Sequence, residues 1–312
     1  MSAAFLVAIL GGLSVASAGC GQAGEGGARR PDGGPSSGAQ RGIDGTKGVG
    51  PEAGAPIELV DAAGRRHVLE APARRIVSLV PSATETLRAL GADHRLVGVT
   101  DYDDWAWAED LPSVGGGIEP NLEALIALQP DAVVRFAGEQ DPRTPARLDA
   151  LGIRHVAVRP VGLADIYETN RILGALAGRP EAAEALSRRI REGLAELARQ
   201  VADERRKRVA YLLGGSPPWV SGPATYASEI LSLIGGDNVF SDLSRPYAPV
   251  SPEELRSREI DVVLLASEGD FDPEVTPGAR VEVMGEALDA PGPDVVEGAR
   301  KVAALLHGRA VR

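Results

Sequence analysis

The stretch Arg75–Val99, RIVSLVPSATETLRALGADHRLVGV, decides the fold. Arg75-Ile76-Val77-Ser78-Leu79-Val80 is a β-branched apolar run, the mark of a strand buried on both faces. Ala83 to Gly91 reads as a helix: Ser82 is placed to cap it, Glu85 follows three residues later and Gly91 stops it. Leu96-Val97-Gly98-Val99 returns to strand. Strand, capped helix and strand make a β-α-β unit, which calls for a parallel sheet. Just upstream, Ile57-Glu58-Leu59-Val60 and His67-Val68-Leu69 flank Asp61-Ala62-Ala63-Gly64, an alternation around a Gly turn that predicts a short hairpin.

The arrangement occurs twice. IVSLV, a loop, a helix ending in ALGADHRLVGV and then VGGGIEPNLEALIALQPDAVV are answered by RVAYLL, a loop, a helix ending in SLIGGDNVF and then YAPVSPEELRSREIDVVLLAS. Asn121–Leu125 matches Pro252–Leu255 as a helix start, and Pro130–Val134 matches Ile260–Leu264 as a strand entry. The fold class expected is α/β: two Rossmann-like lobes with parallel-type sheets, spanning 56–162 and 207–312. Residues 163–206 between them carry no strand signal. Leu186, Ile190, Leu194, Leu197 and Val201 recur at helical spacing, so one bridging helix from Glu181 to Arg206 is expected, about 39 Å long. A coiled-coil seam would need a longer heptad run, and a monomer is expected.

The other end of the chain is of a different texture. Ala3–Ser17 is uncharged and apolar over the length of a secretory h-region, so residues 1–19 read as a signal peptide. Ser17-Ala18-Gly19-Cys20 resembles the lipobox of bacterial lipoproteins, which would put a lipid anchor on Cys20; cleavage after Ala16-Ser17-Ala18 is the alternative. Residues 20–55 are Gly-rich and hold almost nothing that could form a core. As a flexible coil, Gly21–Ala55 would span about 30–35 Å, enough to hold a globular body off a membrane. The expected location is outside the cytoplasm, in the periplasm or on the outer face of the cytoplasmic membrane.

Composition narrows the function. The formal net charge of −11 argues against a nucleic-acid partner. A single Cys leaves no internal disulfide or Cys-based zinc site. No G-x-S-x-G elbow, H-E-x-x-H or Walker loop is present and the four histidines are scattered, so no enzyme and no metal-ion receptor is expected. Aromatics make up only 4% of the chain, yet Trp105, Trp107 and Trp219 all fall in loops that follow strands, with Tyr102 and Tyr247 beside them. Two α/β lobes bind ligands where such loops converge at the carboxyl ends of the strands, and rings there suit a broad, amphipathic ligand. Pro81 and Ser82 belong to the same loop set.

The strings RIVSLVPSATETLRALG, VGVTDYDDW, VGGGIEPNLEALIALQPDAVV, SPPWVSGPATYASEILSLIGGDNVFSD and PVSPEELRSREIDVVL resemble the class III substrate-binding proteins of ABC importers, and among them the cobalamin (vitamin B12) binders. The resemblance, over Pro56 to Leu306, implies two lobes joined by a rigid helix and delivery of ligand to a transmembrane permease. It implies that Tyr102, Trp219 and Tyr247 meet the corrinoid, that Trp105 or Trp107 replaces a ring missing at Val114–Gly117, and that Glu286 and Asp289 face its amide edge. It also implies that Glu123 and Glu253, one per lobe, dock on permease arginines. Cobalamin is cargo on this reading, with no resident cofactor. The alternative cargo is a ferric siderophore, for which Arg135 and Arg245 are candidates, or haem, with Tyr102 or Tyr247 as axial ligand.

Overall fold

The computed structural model describes residues 56–138, 141–269, 271–285, 287–288 and 290–311. The signal peptide, Cys20, the Gly-rich segment, Glu286 and Asp289 lie outside the described residues.

The chain opens with the hairpin, β1 (Ile57–Val60) against β2 (Arg66–Leu69). The first lobe then runs β3 (Ile76–Ser78), α1 (Pro81–Ala89), β4 (Leu96–Gly98), α2 (Leu122–Ala127), β5 (Ala132–Phe136), α3 (Arg143–Ala150) and β6 (His155–Val158). Its sheet is parallel throughout, in the order β4-β3-β5-β6. The second lobe runs β7 (Lys207–Gly214), β8 (Trp219–Ser221), α6 (Tyr226–Leu233), β9 (Gly236–Asn238), β10 (Tyr247–Pro249), α7 (Pro252–Ser257), β11 (Val262–Leu265), β12 (Arg280–Val283) and α8 (Val295–His307). Here β9, β7, β11 and β12 repeat the parallel order of the first sheet. The sheet is nevertheless mixed, because β8 pairs antiparallel with the outer end of β7 and β10 antiparallel with β8. That ribbon is an addition to the parallel pattern read from the sequence.

The duplication reaches individual hydrogen bonds. Asp131, just before β5, accepts from the amides of Arg74 and Arg75, the two residues before β3, and its own amide donates to the Arg75 carbonyl at 2.9 Å. Asp261, just before β11, accepts from the amide of Arg208 in β7 at 2.8 Å and donates to the Arg208 carbonyl at 2.9 Å. The Arg208 side chain and amide hold the Asp261 carboxyl far below the usual carboxylate range.

Two expectations are corrected. Residues 163–206 form two helices, α4 (Leu163–Leu176) and α5 (Pro180–Gln200), packed on each other with Gly178-Arg179-Pro180 as the break. The second has 21 residues, about 31 Å, and stops short of Arg206, where the Arg309 guanidinium takes the Gln200 carbonyl. Buried Val201 keeps the helical spacing going one residue past the last turn, which is why the pattern overran. Second, Ser82 does not cap α1. Val80 is the cap residue without a side-chain bond, Pro81 takes the first helical position, and Ser82 lies buried inside the first turn.

Strand alternation builds three layers. Ile76, Val134, Val209, Tyr211 and Leu264 point into one continuous core shared by the hairpin, α1, α4, α5, α6 and α8. Val77, Leu79 and Val133 point outward under α2 and α3, while Ala210, Leu212 and Val263 do the same under α7. The helix pair is thus fused to both lobes through apolar packing. At Gly174 in α4 a Cβ would stand 2.5 Å from that of Ala183 in α5, so glycine sets how closely the pair approaches.

Candidate functional site

A cavity of about 470 Å³ opens between the lobes. Its first-lobe wall is Glu85 of α1 with Asp104 and Trp105 of the loop after β4; its second-lobe wall is Ala287, Leu288, Ala290, Gly292 and the start of α8, with Asp294, Glu297 and Lys301. These segments follow the carboxyl ends of β3, β4 and β12, the place a doubly wound fold offers to ligands. Both walls are built in. Trp105 stacks on Trp107 with ring centroids 5.8 Å apart and planes 15° from parallel, and the Arg88 guanidinium lies 4.5 Å from the Trp107 centroid. Across the cavity, the hydroxyls of Tyr211 and Tyr226 both donate to the Leu288 carbonyl, the first at 3.4 Å. At Gly298 a Cβ would stand 2.8 Å from the Ala287 carbonyl, so only glycine lets α8 lie this close behind that wall.

Of the residues singled out from the sequence, Trp105 lines the cavity. Tyr102 is exposed in the same loop. Pro81 and Ser82 are buried in the first turn of α1. Trp219 and Tyr247 sit on the antiparallel ribbon, opposite Pro249 and Ser221, and pack against the shared core away from the cavity lining. Tyr247 is only 6% exposed, its hydroxyl has no hydrogen-bond partner, and burial raises its pKa well above the usual phenol range. Glu286 and Asp289 are outside the described residues, though their neighbours Ala287, Leu288 and Ala290 line the cavity. Glu123 and Glu253 are exposed in the first turns of α2 and α7, helices capped alike by Asn121 and Ser251. Arg135 donates to His155 Nδ1 and the Phe136 carbonyl, and Arg245 is exposed off the cavity lining. Glu85, Asp104, Asp294, Glu297 and Lys301 also line the cavity and were not legible as lining residues, since Glu85 reads as part of a helix cap and the others as ordinary surface charges.

The aromatic loop is anchored by Asp103, 7% exposed, whose Oδ2 accepts from the Thr100 amide at 2.8 Å and its hydroxyl at 2.5 Å while Oδ1 has no partner. Burial pushes this carboxyl up, only partly offset by Thr100. A carboxyl raised in the folded state stabilises below its unfolded pKa of about 3.9 and loses that contribution as pH rises through the folded value. Asp103→Asn is therefore expected to be more stable than the parent by about 1 kcal/mol at neutral pH, with the difference vanishing near pH 3. Urea unfolding at both pH values checks this; a variant less stable at neutral pH would refute it.

Among the described residues no group of three or more His, Cys, Asp or Glu is placed to hold a metal ion, and no helix is long and apolar enough to cross a membrane. A two-lobed α/β body with a ligand-sized cavity between its lobes defines a solute-binding protein. The chain belongs to the periplasmic binding protein family, whose profile matches residues 76–279. It is 32% identical over 195 residues to the vitamin B12-binding protein of Salmonella typhimurium, covering 62% of this chain and 73% of that one. The vitamin B12-binding protein of Vibrio cholerae is 31% identical over 193 residues, 62% of this chain and 70% of its own. Among solved structures, the periplasmic vitamin B12-binding protein BtuF of Vibrio cholerae superposes with a TM-score of 0.67 at 27% identity, over 75% of this chain and 97% of that one. A periplasmic heme-binding protein from Pseudomonas aeruginosa gives 0.67 at 26% identity, over 77% and 94%. The family and these relatives are binding proteins.

Proposed function

We propose that the protein captures cobalamin or a related corrinoid in the inter-lobe cavity, outside the cytoplasm, and hands it to the permease of an ABC importer without chemical turnover. The observation that carries this is the cavity at the strand ends with Trp105, backed by the stacked Trp107 ring, on one wall, in a chain whose relatives are named for vitamin B12. A flat indole offers large apolar area at little rotamer cost to the face of a macrocycle. The shared core of the two lobes favours a preformed site over wide hinge closure.

Glu123 and Glu253 give each lobe one exposed carboxylate at an equivalent capped helix start, a symmetric charge pair suited to orienting the protein on two basic permease subunits. In the same reading Cys20 carries the lipid anchor and Gly21–Ala55 is the tether. Cys20→Ser should then move the protein from the membrane pellet to the soluble fraction; unchanged fractionation would remove the anchor.

Calorimetric titration with cyanocobalamin, haem and a ferrichrome-type chelate in parallel tests the cargo. Saturable one-to-one heat with cyanocobalamin is the expected result. Silence with cyanocobalamin beside saturable binding of haem would move the assignment to haem, the ligand named for the Pseudomonas structure.

A further inference from the structure

The loop after β4 carries Trp105 to the cavity, and a buried carboxylate behind it shapes its path. Backbone bonds close the neck of the loop: the Val99 amide donates to the Pro112 carbonyl at 3.0 Å, the Val114 amide to the Val99 carbonyl at 2.8 Å and the Asp101 amide to the Gly115 carbonyl at 3.0 Å. Beyond the neck, Asp103 and Ala108 are the two buried residues of 101–110, and they bracket the stacked Trp105 and Trp107 rings. Ala108 secures one side, its amide donating to the Trp105 carbonyl at 2.8 Å. Asp103 secures the other through a closed turn with Thr100. Its carboxylate takes the Thr100 amide and hydroxyl, its own amide donates to the Thr100 carbonyl at 3.2 Å, and the Tyr102 amide donates to the Thr100 hydroxyl oxygen at 3.2 Å. The hydroxyl of Thr84, fully buried in α1, also favours the charged form of this carboxyl. Thr84 and Asp103 thus stand behind the first-lobe wall, while their neighbours in sequence, Glu85, Asp104 and Trp105, line it. Burying a carboxylate is unfavourable unless bonds hold it, and departures of this kind from cheap packing belong to sites more than to scaffolds.

We propose that Asp103 is a positioning residue for ligand capture: through the Thr100 turn it holds Trp105 in the orientation the ligand meets, so affinity depends on a side chain off the cavity lining. The inference rests on the corrinoid reading above, in which Trp105 faces the macrocycle. A ring two residues from a fixed carboxylate is ordered before the ligand arrives, and the ligand is spared the entropy of ordering it.

A double-mutant cycle between Asp103 and Trp105, read by calorimetric titration of the full chain with cyanocobalamin, tests this. Asp103→Ala is expected to weaken binding at least about tenfold in the parent but less than about twofold in Trp105→Ala, because there is no longer a ring to hold. A merely structural loss would appear equally in both backgrounds. Asp103→Asn keeps an acceptor for the Thr100 amide and hydroxyl and should bind within about threefold of the parent. Thr100→Val removes the hydroxyl alone and should weaken binding about threefold, again only where Trp105 is present; it carries the test if Asp103→Ala does not fold. Equal losses with and without Trp105, or parent-like affinity in the folded Asp103→Ala and Thr100→Val variants, would overturn the positioning role while leaving corrinoid binding in place. No saturable heat from the parent would instead overturn the corrinoid reading, and this proposal with it.

Discussion

Asp61→Ala is expected to lower the free energy of unfolding by about 3–5 kcal/mol, the cost of taking one partner from a buried charged cluster. The Asp61 side chain is fully buried. Its Oδ1 accepts from the amides of Ala63 and Arg65 at 3.0 and 2.9 Å, which shapes the hairpin turn. Its Oδ2 accepts from the Ala157 amide of β6 at 3.0 Å and faces His67 Nε2 at 3.0 Å. One carboxylate thus ties hairpin to sheet edge, and alanine would strand three amides and an imidazole at once. Burial pushes this carboxyl up, but the bonds from Ala157, His67, Arg65 and Ala63 outweigh it and hold the pKa below the usual value. A lowered carboxyl contributes stability that is present above its unfolded pKa, about 3.9, and lost as pH falls through the folded value. The parent should therefore lose stability on acidification below about pH 4 more steeply than the variant. Urea unfolding across that range checks both parts; a loss under about 1 kcal/mol at neutral pH would remove Asp61 from this role.

The repeat was legible because both halves spell it in burial pattern. β3 and β7 are covered on two faces, so their apolar runs are continuous, and Asn121 and Ser251 announce the matching helices α2 and α7 by side-chain caps. The clamps by Asp131 and Asp261 were not legible, since a carboxylate gripping a distant backbone leaves no periodicity. Nor was the helix pair: α4 is buried widely around its circumference, which blurs the stripe that separates one helix from the next. The site divides in the same way. Aromatics in loops stood out against a ring-poor chain, and one of those singled out, Trp105, lines the cavity. Three-residue strands carry almost no pattern, so the ribbon that draws Trp219 and Tyr247 toward the core could not be read beforehand. The carboxylates of the cavity became site residues only when α8 was folded across from α1.

Trp105→Ala is expected to weaken ligand binding by at least about 2 kcal/mol, roughly thirtyfold, as the loss of a central aromatic anchor does. The ring stands ready before any ligand arrives, because Trp107 stacks on it and Arg88 lies over Trp107. Order supplied by that stack is order the ligand need not impose, so part of the affinity belongs to the supporting residues. Trp107→Ala should accordingly weaken binding too, by a smaller factor, and lower stability as well, since Trp107 packs against the core. Trp219→Ala separates packing from contact. Half-buried against the same core and off the cavity lining, Trp219 should cost stability on truncation and leave affinity within about threefold. Isothermal titration and urea unfolding of the three variants resolve the pattern. Unchanged affinity in Trp105→Ala together with a large loss in Trp219→Ala would place the ligand against the ribbon of the second lobe instead, because a wall that is only a neighbour cannot hold what a contact holds.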